Sequence, residues 1–175
     1  MPWDWSSDGR QLLFWGVADG VRDEIVAQPM TPGHTLAGDP RVFAGGINAR
    51  FSPDGHWVAF SSIESGVYEI YVAAFPSALR KVRISTAGGD FPVWSPDGRE
   101  IYYVQPGNKL MAVGLKMTDG SIQPAPPQEL FVLQVSEMPR FPFDVAKDGR
   151  FLVRADVPQA SHSLTAIVNW QSLVK

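Results

Sequence analysis

The residues able to do chemistry in this 175-residue chain are few and scattered. Its three histidines are His34, His56 and His162, and none is paired at the spacing of metal ligands. His56 follows a turn and reads as a solvated or turn-capping residue. His34 lies in a Pro/Gly loop and His162 in a Ser-rich one, positions from which a side chain could touch a ligand. Asp23 and Glu24 are adjacent carboxylates, but neighbours on a strand point to opposite faces, which disfavours a general acid/base pair. Asp8, Asp54, Asp97 and Asp148 recur at separations of 46, 43 and 51 residues. Each precedes a glycine, and Asp-Gly is turn chemistry: the carboxylate bonds nearby backbone amides and glycine accepts a positive φ. Cysteine is absent, removing disulfides, thiolate metal sites and Cys nucleophiles together. There is no Gly-x-Ser-x-Gly nucleophile elbow, phosphate loop, dinucleotide fingerprint or kinase motif. The reading assigns no catalytic residue, no metal ligand and no cofactor.

The elements around the aspartates are more informative than the aspartates. Phe91-Pro92-Val93-Trp94 and Glu100-Ile101-Tyr102-Tyr103-Val104 are extended apolar runs joined by Ser95-Pro96-Asp97-Gly98, a β-hairpin. The pattern recurs as Phe51-Ser52-Pro53-Asp54-Gly55 before Val58-Ala59-Phe60. It recurs more loosely at Trp5 to Phe14 and at Asp144 to Val153. A period in the forties with about four strands per unit is the pattern of propeller blades. The expected fold is all-β, a β-propeller segment of about four antiparallel blades over 2–46, 47–89, 90–139 and 140–175. The last blade is expected to lack one strand. Pro29–Pro40 and Gln123–Gln128 read as loop and linker.

These motifs resemble the TolB-type, WD40-like propeller repeat, in which Ser-Pro-Asp-Gly is followed by Ile-Ala-Phe and Ile-Tyr-Val runs; Tyr68–Val72 matches the latter. Phe143-Asp144-Val145 through Trp170 is similar to the carboxy-terminal ends of bacterial multidomain serine/threonine kinases that carry such propellers. Ser7 replaces proline in the first copy, and Ala146-Lys147 replaces Ser-Pro in the fourth. The resemblance implies a non-enzymatic protein- or peptide-binding module. The alternative is an accessory or sensor domain of a kinase or prolyl-oligopeptidase-type enzyme whose catalytic part lies elsewhere. A metal-centred propeller hydrolase or lactonase is the third option.

In such a fold the residues entering the innermost strands line the axis or one rim. That singles out Asn48, Arg50, Asp90 and Arg140 as candidate ligand-binding residues. Trp5, Phe51, Trp94 and Val145 share one repeat position and are expected in the core between blades, while Trp3 and Trp170 are expected nearer the surface. Net charge is −3 with no basic stripe, which disfavours nucleic acid. No apolar run approaches the roughly 20 residues of a membrane span. The start lacks a signal peptide and falls on a repeat strand, so a piece of a longer gene product is expected. The composition fits cytoplasm or periplasm alike. An unpaired edge in the last blade would favour a homo-oligomer or strand pairing with another chain.

Overall fold

The computed structural model describes residues 2–18, 20–118, 120–135 and 137–154, and the backbone of 164–167. His162 and Trp170 lie outside the described residues. Four antiparallel sheets follow one another along the chain. Sheet one contains β1 (Pro2–Trp5), β2 (Gln11–Ala18), β3 (Arg22–Pro29) and β4 (Arg41–Gly45). Sheet two contains β5 (Ile47–Phe51), β6 (Trp57–Ser62), β7 (Glu69–Ala74) and β8 (Lys81–Arg83). Sheet three contains β9 (Asp90–Trp94), β10 (Glu100–Gln105), β11 (Lys109–Thr118), β12 (Ser121–Pro124) and β13 (Gln128–Val132). Sheet four contains, among the described residues, β14 (Phe143–Val145), β15 (Phe151–Arg154) and β16 (Leu164–Ile167). No described helix is long and apolar enough to cross a membrane.

The innermost strands stand side by side, β1 against β5, β5 against β9 and β9 against β14. Side-chain and backbone bonds tie them together. Asp4 Oδ2 accepts the Phe51 N–H at 2.8 Å, and Trp94 Nε1 donates to the Arg50 carbonyl at 3.1 Å. Between the sheets lie three apolar clusters. The first joins Trp3, Leu13, Ile25 and Phe43 to Phe51, Val58, Phe60 and Tyr71. The second joins Trp57, Ile70, Val72 and Ile84 to Trp94, Ile101, Tyr103 and Val113. The third joins Tyr102, Val104, Leu110 and Leu133 to Phe143, Phe151 and Val153. Each cluster takes alternate residues from two sheets, because side chains alternate across a strand.

The hairpins of sheets one to three share one hydrogen-bonded turn. Ser6, Ser52 and Ser95 donate their hydroxyls to Asp8, Asp54 and Asp97 at 2.6, 2.5 and 2.7 Å. The same hydroxyls accept the backbone N–H of Gln11, Trp57 and Glu100 at 2.9, 3.0 and 2.9 Å. Each aspartate also accepts a backbone N–H two residues on, and the glycine that follows has φ near +70°. The Ser6 and Ser95 hydroxyls, followed by the amides of Arg10 and Arg99, hold the Asp8 and Asp97 carboxyls below the usual carboxylate range. The first turn works with Ser7 in place of proline, because the residue between Ser and Asp supplies none of these bonds.

Sheet four departs from the pattern. Ala146 has no hydroxyl, and Val145 pairs with Phe151 where Trp94 pairs with Ile101, so its turn is one residue shorter. Sheet three also corrects the sequence reading. Gln123–Gln128, read there as linker, overlaps at its start with β12 (Ser121–Pro124), which pairs with the far half of β11 while β13 pairs with the near half.

The shared repeat position does not give a shared environment. Phe51 and Trp94 are buried, at 7% and 6% exposed, but Trp5 is 38% exposed. Trp3, expected nearer the surface, is buried at 8%. Trp3 faces sheet two, whereas Trp5 is on the other face of sheet one, where no described sheet packs.

Candidate binding site at the axis

Both β5 and β9 open with an irregularity rather than a clean ladder. Register slips between Ile47 and Arg50 and between Tyr102 and Val104. The residues that turn the chain there are Asn48 and Phe91, with φ of 54° and 56°. Left-handed backbone is uncommon for a non-glycine residue and needs support from its surroundings. Asp90 supplies it. Its Oδ1 accepts Asn48 Nδ2 at 2.7 Å, Ser61 Oγ at 2.6 Å and the Phe91 N–H at 2.8 Å. One carboxylate oxygen thus ties the two bulges to each other and to β6.

The bulges aim side chains inward. Trp3 from β1, Asn48 and Arg50 from β5, Phe91 from β9, and Arg140 and Phe141 just before β14 line one small notch of about 20 Å³. Arg50 donates to the Trp3 carbonyl at 3.1 Å, stands 3.9 Å from Asp4 Oδ1, and lies over the Phe141 ring at 5.7 Å. Arg140 lies over the Trp3 ring at 5.7 Å. Burial raises the Asp4 carboxyl above its usual range, against the Phe51 amide and Arg50, which lower it.

Of the four residues singled out from sequence, Asn48, Arg50 and Arg140 meet in this notch. Asp90 stands behind it as the brace for Asn48. Trp3 and Phe141, which are not in that set of four, line the notch as well; Phe141 is one of the residues entering an innermost strand, and Trp3 is expected nearer the surface. The signal for Trp3 is its place on the innermost strand β1, not exposure near the start of the chain.

His34 and His56 take no part. His34 packs edge-on against Trp5 with ring centroids 5.3 Å apart, and His56 is an exposed neighbour of Asp54. Asp23 accepts Trp15 Nε1 at 2.8 Å. Among the described residues, no three His, Asp or Glu side chains gather as a metal site. A larger cleft of about 620 Å³ lies between the outer hairpin of sheet three and sheet two, lined by Trp57, Phe75, Leu79, Arg80, Met117 and Ser121. The turn at Gly120, outside the repeat spacing, forms one wall of it, and Arg80 donates to the Gly120 carbonyl at 3.4 Å.

No protein-family model matches the chain. TolB of Acinetobacter baumannii superposes with a TM-score of 0.62 at 18% identity, over 94% of this chain and 39% of that one. The chain has the fold of a TolB-type β-propeller. Its four sheets are blades of such a propeller, in chain order. The β-propeller domain of the Trilobed protease from Pyrococcus furiosus, which has an open velcro topology, gives 0.56 at 20% identity over 94% and 53%. The periplasmic gluconolactonase of Pseudomonas aeruginosa gives 0.54 at 16% identity over 94% and 55%. An uncharacterised protein of Agrobacterium fabrum is 32% identical over 104 residues, 57% of this chain and 34% of that protein. The chain therefore spans about a third to a half of the length of these proteins.

Proposed function

We propose that residues 1–175 act as one non-enzymatic propeller unit that binds protein or peptide at the axial notch. The carrying observation is the convergence of Trp3, Asn48, Arg50, Arg140 and Phe141, from the starts of three blades, on one solvent-reached point. Aromatic and Arg side chains are the types that dominate binding energy at protein interfaces. Blades held by apolar clusters position them on rigid strands, so little ordering cost falls on the binding step.

Binding of the chain to an array of unstructured peptides tests this, with Arg140→Ala as the comparison. Arg140 is exposed, so its loss should leave the blades intact. The proposal expects a discrete set of retained peptides whose signal falls about tenfold in the variant, the effect of losing one charge-assisted contact. Identical array patterns for the two proteins would overturn it.

The second reading, an accessory or sensor domain of a multidomain enzyme, is supported by the likeness to a propeller that is one domain of a protease. We also propose that the isolated chain self-associates, through β16, the outer strand of sheet four among the described residues, or through the face of sheet one that no described sheet covers. Light scattering should give twice the monomer mass at high concentration; a monomer throughout would contradict this.

A further inference from the structure

We infer that the axial notch binds a carboxylate, held between Arg50 and Arg140 and receiving the indole N–H of Trp3. This inference rests on the peptide-binding reading and names the group on the peptide that the notch takes.

The first observation is Trp3 Nε1. It is buried and has no hydrogen-bond partner among the described residues. A buried donor without an acceptor is costly, and nearly all such groups find one. Trp3 lines the notch with the Arg140 guanidinium over its ring, so an acceptor brought into the notch reaches this covered N–H only as those side chains part to admit it.

The second observation is the sign of the lining. It carries two guanidinium groups and an Asn amide, and no carboxylate. Nearby acids are engaged in the scaffold. Asp90 Oδ1 takes three donors, and Asp4 takes the Phe51 N–H and faces Arg50. Asp144 is close enough to act on Asp4 but does not line the notch. Arg140 has no ion pair with any described carboxylate. Arg50 spends one N–H on the Trp3 carbonyl, leaving the rest of its fork.

The third observation is size. About 20 Å³ holds one water-sized group, such as a carboxylate oxygen. The rest of a peptide would extend outward past Phe141, which is 54% exposed. Guanidinium groups match a carboxylate better than they match a neutral amide, because they offer parallel charged N–H donors.

The test uses three small probes and the Trp3 indole N–H resonance, assigned by its loss in Trp3→Phe. The probes are N-acetylglycine, a terminal carboxylate; N-acetylglutamate amide, a side-chain carboxylate; and N-acetylglycine amide, which is neutral. Both carboxylates should move the Trp3 signal in a saturable way, and the probe saturating at lower concentration identifies the source. Arg140→Ala should weaken that response about tenfold without altering the resonances of the sheet two–sheet three core. The inference is overturned if the neutral amide moves the signal as much as the carboxylates, if none moves it, or if a single bound water satisfies the indole and persists at saturating probe. The peptide-binding reading is judged separately on the array, where peptides can bind through contacts these probes lack.

Discussion

In sheet two, the row Phe51, Val58, Phe60, Tyr71 and Ala73 is buried against sheet one. The repeat places Trp5, Leu12, Phe14, Val26 and Gln28 at the same positions of sheet one. The pairing agrees: Trp5 faces Leu12 and Phe14 faces Val26, as Phe51 faces Val58 and Phe60 faces Tyr71. No described sheet covers this second row, and its extension, Val42, is 59% exposed. Part of the cover comes from the 30–40 loop. His34 leans on Trp5, and Gln28 Nε2 donates to the Pro29 and Gly38 carbonyls at 2.9 and 3.1 Å. The same repeat position therefore contributes according to what packs on it, not according to its residue type.

Mutating the two rows is the strongest way to break this comparison. Phe51→Ala should cost about 3–5 kcal/mol in urea unfolding, the range for emptying a packed aromatic site. Trp5→Ala should cost about 1 kcal/mol, since much of its surface already meets water. Equal costs would mean that sheet one's outer face is covered in solution.

The turns offer a second contrast, smaller in size. Ser52→Ala removes the acceptor of the buried Trp57 N–H and should cost about 1–3 kcal/mol by the same measurement. Ala146→Ser in the shorter fourth turn should change stability by no more than about 0.5 kcal/mol.

Acid titration sharpens the contrast between turn and axis. Asp97 has a lowered pKa in the fold, so its contribution is present above the unfolded value of 3.8 and lost as pH falls through the folded value. Asp4 has a raised pKa, so its effect has the opposite sign, and stability rises as pH falls through its folded value. In melting curves from about pH 2 to 6, Asp97→Asn should flatten the acid loss and Asp4→Asn should steepen it. The smallest expected effect is that of His34→Ala. It should shift Trp5 fluorescence toward that of an exposed indole while changing stability by about 0.5 kcal/mol or less.

Much of the fold was legible because Ser-x-Asp-Gly writes its turn directly into the sequence: hydroxyl, carboxylate and glycine each perform a local bond or φ. Burial was less legible. Trp3 and Trp5 sit two residues apart on one strand and would share a face in a regular ladder, but the register slip between Pro2 and Asp4 puts them on opposite faces, of which only that of Trp3 meets sheet two. The bulges at Asn48 and Phe91 carry no glycine to announce a positive φ; they exist because Asp90 and Ser61, distant in sequence from Asn48, hold them. The choice of Asn48, Arg50 and Arg140 came from counting into each innermost strand, which repeat geometry permits. The outer cleft is not legible from the repeat, because the β11–β12 hairpin that walls it falls outside the repeat spacing.

The most direct test sets the axis against that larger cleft. For one peptide retained on the array, affinity is measured by fluorescence anisotropy for the wild-type chain, Arg140→Ala and Arg80→Ala. Binding at the axis predicts about a tenfold loss for Arg140→Ala and no change for Arg80→Ala. A loss confined to Arg80→Ala would place the peptide in the outer cleft and contradict the account.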